Sequence, residues 1–261
     1  MFSIRLAIFL VFLFSIITVS AQTTSEIPRE WIDKDTGHRI VRLSDDDGSS
    51  SFYFHQNGYT ASGDKFVFST RTGLSTYNFK TKKIEQIVEG RAGSVVVGKK
   101  SRKVFYTKGE TVYETDIDTK ATREIVKDAR FRTGSGFAVN ADETLLGGSM
   151  EINPKPREPQ TNQPNQPRGD NYVGKGEMME NRLAAKIPMT LYTINIKSGA
   201  VKTFHEATDW LNHVQFSPTD PGLMMFCHEG PWHKVDRIWT IKTDGTSLTK
   251  VHTRTMEIEI A

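Results

Sequence analysis

Thirteen consecutive positions, Cys227 to Trp239 (CHEGPWHKVDRIW), carry two histidines, a glutamate, an aspartate, a lysine, an arginine and two tryptophans. His228, Glu229 and His233 have side chains that chelate metals, but their H-E-x-x-x-H spacing is not the helical H-E-x-x-H of metalloproteases. Gly230 and Pro231 exclude a helix there. Arg237 stands at the start of an apolar strand beside Ile238 and Trp239, where a guanidinium needs a carboxylate partner. On spacing alone two answers stay open. Asp236 or Glu229 satisfies it within the protein, or an acidic ligand does so in a cleft.

The elements that must position these residues are strands. Four segments share one plan of four short strands: Gly58 to Gly90, Gly93 to Lys127, Gly136 to Met150 resuming at Leu191 to Ala207, and Asn212 to Thr253. Their turns (ASGDK, GKKSRK, NADET, SPTDP) recur at about 40 residues over the first three, the period of a four-stranded propeller blade. Each closes in a hairpin alternating apolar and polar residues around a Lys, Asp, Thr or Gly-rich turn, such as YNFKTKKIEQI or WTIKTDGTSLTKV. The fold class is therefore all-β: a β-propeller with about four blades present. Gly37 to Ser44 (GHRIVRLS) reads as a lone strand of the kind that completes a last blade. Four blades leave an apolar sheet face uncovered, so the expectation is an N-terminal portion of a larger ring, incomplete at its C-terminus.

In this plan HEGPWHKV connects the second and third strands of the fourth blade at one rim, where loops on a rigid ring hold ligands. His213 opens that blade's first strand, which faces the central channel, and is a candidate substrate contact. His55 in FYFHQN sits beside an aromatic alternation and is a second candidate for lining the cleft. Trp232 either stacks on a ligand ring or covers the blade edge. The third blade is interrupted by residues 151–189. The first half of this insertion is rich in Pro, Gln and Asn and reads as irregular; the second half, 177–186, has helical composition and stops before Pro188. It is either a solvated loop or a flap placing Arg182 over an anionic ligand.

The bulk numbers bound the rest. The chain has 261 residues and a formal charge of +3, too weak an excess to point to nucleic acid. The single cysteine, Cys227, cannot form an internal disulfide and reads as a small buried residue. Leu6 to Val19 is an apolar run with Arg5 before it and Val-Ser-Ala at 19–21 after it, the pattern of a cleaved signal peptide. It is shorter than the roughly 20 residues that span a bilayer. The expected division is a signal peptide over 1–21 and a partial propeller over 22–261. The mature chain would be exported, periplasmic or secreted, and free of the membrane.

The stretch NHVQFSPTDPGLMMFCHEGPWHKVDRIW resembles the oligogalacturonate lyases, seven-bladed β-propeller enzymes that cleave short pectin fragments. SFYFHQNGYTASGDKFVFST and NRLAAKIPM resemble the same family, so the likeness runs from about Trp31 to Ala261. It implies β-elimination from an acidic oligosaccharide, with the family's arginine falling on Arg237 as the partner of the substrate carboxylate. It also raises His228 and His233 as substrate contacts. It implies Mn²⁺ or another divalent metal, but the family's metal ligands and its histidine base lie beyond Ala261. No metal ligand is therefore assigned in this chain, and the expectation is a truncated chain without turnover by itself. The alternative is a non-catalytic exported propeller that binds or scaffolds. A peptidase propeller would require a downstream G-x-S-x-G elbow, which nothing in this stretch supports.

Overall fold

The computed structural model describes residues 28–133, 135–154 and 174–255. The expected signal segment, the Pro, Gln and Asn-rich half of the insertion and the last six residues lie outside them. Residues up to Leu43 form a unit of their own. Within it β1 (Glu30–Ile32) and β2 (Arg39–Val41) pair as an antiparallel hairpin, with Trp31 opposite Ile40. The Asp33 carboxylate accepts the Thr36 amide at 2.8 Å, and Gly37 takes the turn at φ +71°. Arg39 donates to both oxygens of Glu30, at 2.6 and 2.8 Å. The strand expected to stand alone thus has its partner seven to eleven residues upstream, because Asp-x-x-x-Gly supplies the turn.

The second unit, Ser44 onward, contains four antiparallel sheets in meander order; three have the expected four strands and the first has three, its fourth position reduced to a single bridge. The first holds β3 (Lys65–Thr70), β4 (Gly73–Asn78) and β5 (Ile84–Glu89), with Tyr59 bridging to Phe66 on its inner side. The second is β6 (Gly93–Val97), β7 (Lys103–Lys108), β8 (Thr111–Asp116) and β9 (Thr122–Lys127). The third is β10 (Ser135–Val139), β11 (Leu145–Glu151), β12 (Met189–Asn195) and β13 (Val201–Ala207). The fourth is β14 (Trp210–Phe216), β15 (Leu223–Glu229), β16 (Ile238–Lys242) and β17 (Thr249–Lys250). The insertion leaves β11 and returns through helix α1 (Lys175–Ala185). That helix ends on Lys186 in the left-handed region at φ +46°, just ahead of Pro188.

The core lies between blades, not within a single sandwich. Val95 and Val97 of β6 pack with Val67, Leu74 and Val88 of the first blade, while the intervening Val96 packs with Phe137, Val139 and Leu146 of the third. A strand sandwiched between neighbours buries both faces, so SVVV reads as a continuous apolar run and not an alternating one. Leu211, Val214, Phe216, Met224 and Phe226 make the corresponding layer between the third and fourth blades with Met189 and Leu191. The hairpin turns repeat in chemistry as well as position. Asn78, Asp116 and Asn195 each accept two backbone amides with one side-chain oxygen, at 2.8–3.1 Å. Lys82, Lys120 and Gly199 follow at positive φ.

Candidate functional site

The site is built on two faces of β15. Cys227 and Glu229 project to one face and His228 to the other, as the period of two demands. Glu229 is 8% exposed. Its Oε2 accepts the Asn212 side-chain amide at 2.6 Å and lies 3.4 Å from His213 Nε2, and its Oε1 lies 3.6 Å from Arg237 Nη2. Arg237 also donates Nη1 to the Gly230 carbonyl at 2.9 Å, and its guanidinium lies over the Trp232 indole with 4.3 Å to the ring centroid. The protein thus answers the arginine with Glu229. Asp236 instead accepts Lys250 Nζ at 2.9 Å and the Arg254 amide at 2.8 Å.

Arg237 borders a cavity of about 200 Å³ with Cys227, Trp232, Val235, His252 and Arg254. A guanidinium carries five N–H donors. The Gly230 carbonyl takes one, Nη2 faces Glu229 and the Cys227 thiol lies against the guanidinium, so the cavity meets a partly engaged arginine, with Arg254 adding positive charge. Burial pushes the Cys227 thiol up to about 11, which removes it as a nucleophile near neutral pH.

His213 lies at a β-bulge between Asn212 and Gln215 and has φ +49°. Its ring stacks on Tyr53 at 5.6 Å and 11°, and meets His55 edge-on at 5.6 Å. Burial, then the neighbouring His213, lower the His55 pKa. These rings border a cavity of about 250 Å³, which adjoins a channel cavity of about 400 Å³ lined by Gln56, Thr60, Val97, Val139 and Gln215.

The other three sequence candidates have partners elsewhere. His228 pairs Nδ1 with Asp209 Oδ2 at 2.9 Å and packs against Phe226 and Trp239. His233 Nε2 lies 3.7 Å from Glu180 of α1, and Lys234 donates to the same carboxylate at 2.7 Å, so the loop is tied to the helix. Arg182 donates to Met189 Sδ at 3.2 Å, approaches Glu151 at 3.8 Å and lies over the Trp210 ring at 5.5 Å. The structure therefore brings Arg237, His213 and His55 into one chain of contacts through Glu229, and places His228, His233 and Arg182 outside it. Asn212, Asp209, Glu180 and Tyr53 are functional neighbours that sequence reasoning missed; only their proximity in sequence to His213, His228 and His55 could have flagged some of them. Among the described residues no group of three His, Cys, Asp or Glu side chains is placed to hold a metal ion.

The fold and site define a β-propeller whose blade-end loop presents an arginine, backed by a buried glutamate, to a cavity of about 200 Å³. The chain belongs to the oligogalacturonate lyase family, whose model matches residues 24–259. It is 27% identical over 230 residues to the oligogalacturonate lyase of Dickeya dadantii, covering 84% of this chain and 56% of that one. It superposes on the solved oligogalacturonate lyase of Vibrio parahaemolyticus with a TM-score of 0.70 at 25% identity, covering 85% of this chain and 58% of that one. An oligogalacturonate lyase solved in complex with manganese gives a TM-score of 0.69 at 25% identity, with 86% and 59% covered. The chain thus spans just over half the length of each of these relatives.

Proposed function

We propose that this chain forms the carboxylate-binding side of an oligogalacturonate β-elimination site. The observation that carries the proposal is the guanidinium of Arg237, held by Gly230, Trp232 and Glu229 at the edge of a cavity with Arg254. In this reaction the C5 proton of a galacturonate unit, α to its carboxylate, passes to a base. The C4–O bond then breaks, giving a C4=C5 double bond and a free sugar hydroxyl on the leaving chain. An ionised carboxylate opposes that proton loss because charge accumulates on it. Arg237 pairing with the carboxylate offsets the charge as it develops. His213 and His55 are assigned to the substrate on the channel side; His228, His233 and Arg182 support the walls through Asp209, Glu180 and Glu151.

A divalent cation enters the proposal from the manganese complex of the related lyase. The described residues do not form its site, so no step is derived through it. Export is proposed as well, supported by the apolar run from Leu6 to Val19 and the small residues at 19–21.

The test is calorimetry of the full chain with digalacturonate, alongside Arg237→Ala. Charge-assisted hydrogen bonds are worth about 1.5–3 kcal/mol, so the variant is expected to bind roughly 10- to 100-fold more weakly. No heat of binding from the wild-type chain, or equal affinity in the variant, refutes the assignment.

A further inference from the structure

The loop between β15 and β16 works on two sides. From Gly230 to Val235 it is closed by a turn in which the Lys234 and Val235 amides both donate to the Pro231 carbonyl, at 3.0 and 3.3 Å. One side serves the arginine. The Gly230 carbonyl accepts from Arg237 Nη1 at 2.9 Å, the Trp232 indole lies against the guanidinium, and buried Val235 lines the same cavity. The other side faces α1. Lys234 Nζ donates to Glu180 Oε2 at 2.7 Å, and His233 Nε2 lies 3.7 Å from Oε1. Among the described residues, no other hydrogen bond or ion pair ties a side chain of this loop to a helix or strand. Trp232 is itself 58% exposed, so the course of the loop keeps the indole where it is.

A helix can hold a loop only if it is held in turn, and α1 is. Met179 is buried, and Arg182, one turn on along the same face, lies over Trp210 and approaches Glu151 at 3.8 Å. Lys186, at the end of the helix, stands 3.8 Å from Asp209, the partner of His228. These contacts fix α1 to the third and fourth blades independently of the loop. Glu180, on the neighbouring flank, is the arm it extends to Lys234 and His233.

We propose that Glu180 is a positioning residue and α1 a latch. By holding Lys234 and His233 it keeps both Gly230 and Trp232 on Arg237, and so fixes the plane in which the guanidinium meets the cavity. When Glu180 releases them, residues 230–235 can carry both contacts away together, leaving Arg237 to Glu229 and the Cys227 thiol. The insertion in the third blade thereby sets the state of an arginine on the fourth. What Arg237 receives rests on the lyase reading; the latch does not.

Modification of the full chain by the arginine reagent phenylglyoxal, read by peptide mass spectrometry, tests this without any ligand. Arg102, bound between Asp64 and Asp118 in the first two blades, is the internal control, because it speeds up only if a variant unfolds. The ratio of the Arg237 rate to the Arg102 rate is the readout. Glu180→Gln keeps the side chain's size and its helix propensity, and is expected to raise that ratio about threefold. Lys234→Gln, which breaks the same pair from the loop, is expected to match it. Exchanging the charges, Glu180→Lys with Lys234→Glu, is expected to restore the slow rate, which a helix that merely propped the fold would not do. A ratio unchanged in either single variant, or one that stays high after the exchange, overturns the latch. Either result leaves the carboxylate role of Arg237 to its own binding test, and a chain that fails to bind digalacturonate leaves the latch standing.

Discussion

Replacing Glu229 by glutamine keeps the side chain's size and removes its charge, which isolates what that charge does for Arg237. Both side chains are almost enclosed, at 10% and 14% exposure, and 3.6 Å separates the nearest nitrogen and oxygen. At that distance the attraction is roughly 4–5 kcal/mol in an effective dielectric near 20. Desolvation offsets part of this in the wild type. The variant keeps the arginine's desolvation cost without the compensating charge, and breaking such a pair from one side costs about 3–5 kcal/mol. The glutamine amide still accepts from Asn212, which now sits 2.6 Å from Oε2. Its NH₂ group then takes the Oε1 position facing Arg237 Nη2, donor against donor. A loss of about 3 kcal/mol is expected for Glu229→Gln. Arg237→Met removes the stranded charge, so the double variant is expected to recover about 2 kcal/mol relative to the sum of the single changes. Urea unfolding followed by tryptophan fluorescence measures all four proteins. If Glu229→Gln costs less than about 0.5 kcal/mol, or if the two changes add without coupling, Glu229 is not what holds Arg237.

Three further outcomes follow from the same physics. Arg102 bridges Asp64 of the first blade and Asp118 of the second, and its hydrogen bonds are the largest cause holding Asp64 well below the carboxylate range and Asp118 at about 2. Depressed carboxylates stabilise the fold above their unfolded value of 3.8, and that stability is lost as pH falls toward 2. Arg102→Ala is therefore expected to cost only about 1 kcal/mol at neutral pH, since both carboxylates are more than 40% exposed. It should also flatten the acid limb of a stability-versus-pH curve, and superimposable limbs would contradict this. Cys227, with its thiol pushed up to about 11 by burial, is expected to resist iodoacetamide at neutral pH in the native protein and to react on unfolding, as mass spectrometry would read. Gly73→Ala places a Cβ 1.9 Å from the Val88 carbonyl oxygen at φ +144°, and is expected to cost about 4 kcal/mol or more in thermal unfolding. A normally folded variant would show that β4 and β5 can separate there without loss.

The sequence by itself determined the architecture. Strand alternation, the repeat of about 40 residues and the Asn or Asp turns at 78, 116 and 195 are local signals, and each hairpin they specify forms where it was expected. The helix after the insertion was legible for the same reason, being bounded by its composition and by Pro188. The pairing of Arg39–Val41 with Glu30–Ile32 was missed because a three-residue strand carries too little pattern to announce its partner. Chain order also suggested one site from Cys227 to Trp239, and there the tertiary structure decided otherwise. Consecutive residues of a strand face opposite ways, so His228 goes to Asp209 while Glu229 goes to Arg237. Sequence left Asp236 and Glu229 equally placed to answer Arg237. Only packing shows that Lys250 claims Asp236, and that a bulge in β14 turns His213 toward both Glu229 and the distant ring of Tyr53. Local chemistry fixes which strands form. Which side chains meet depends on the register and spacing of blades whose contacting residues lie far apart in the chain.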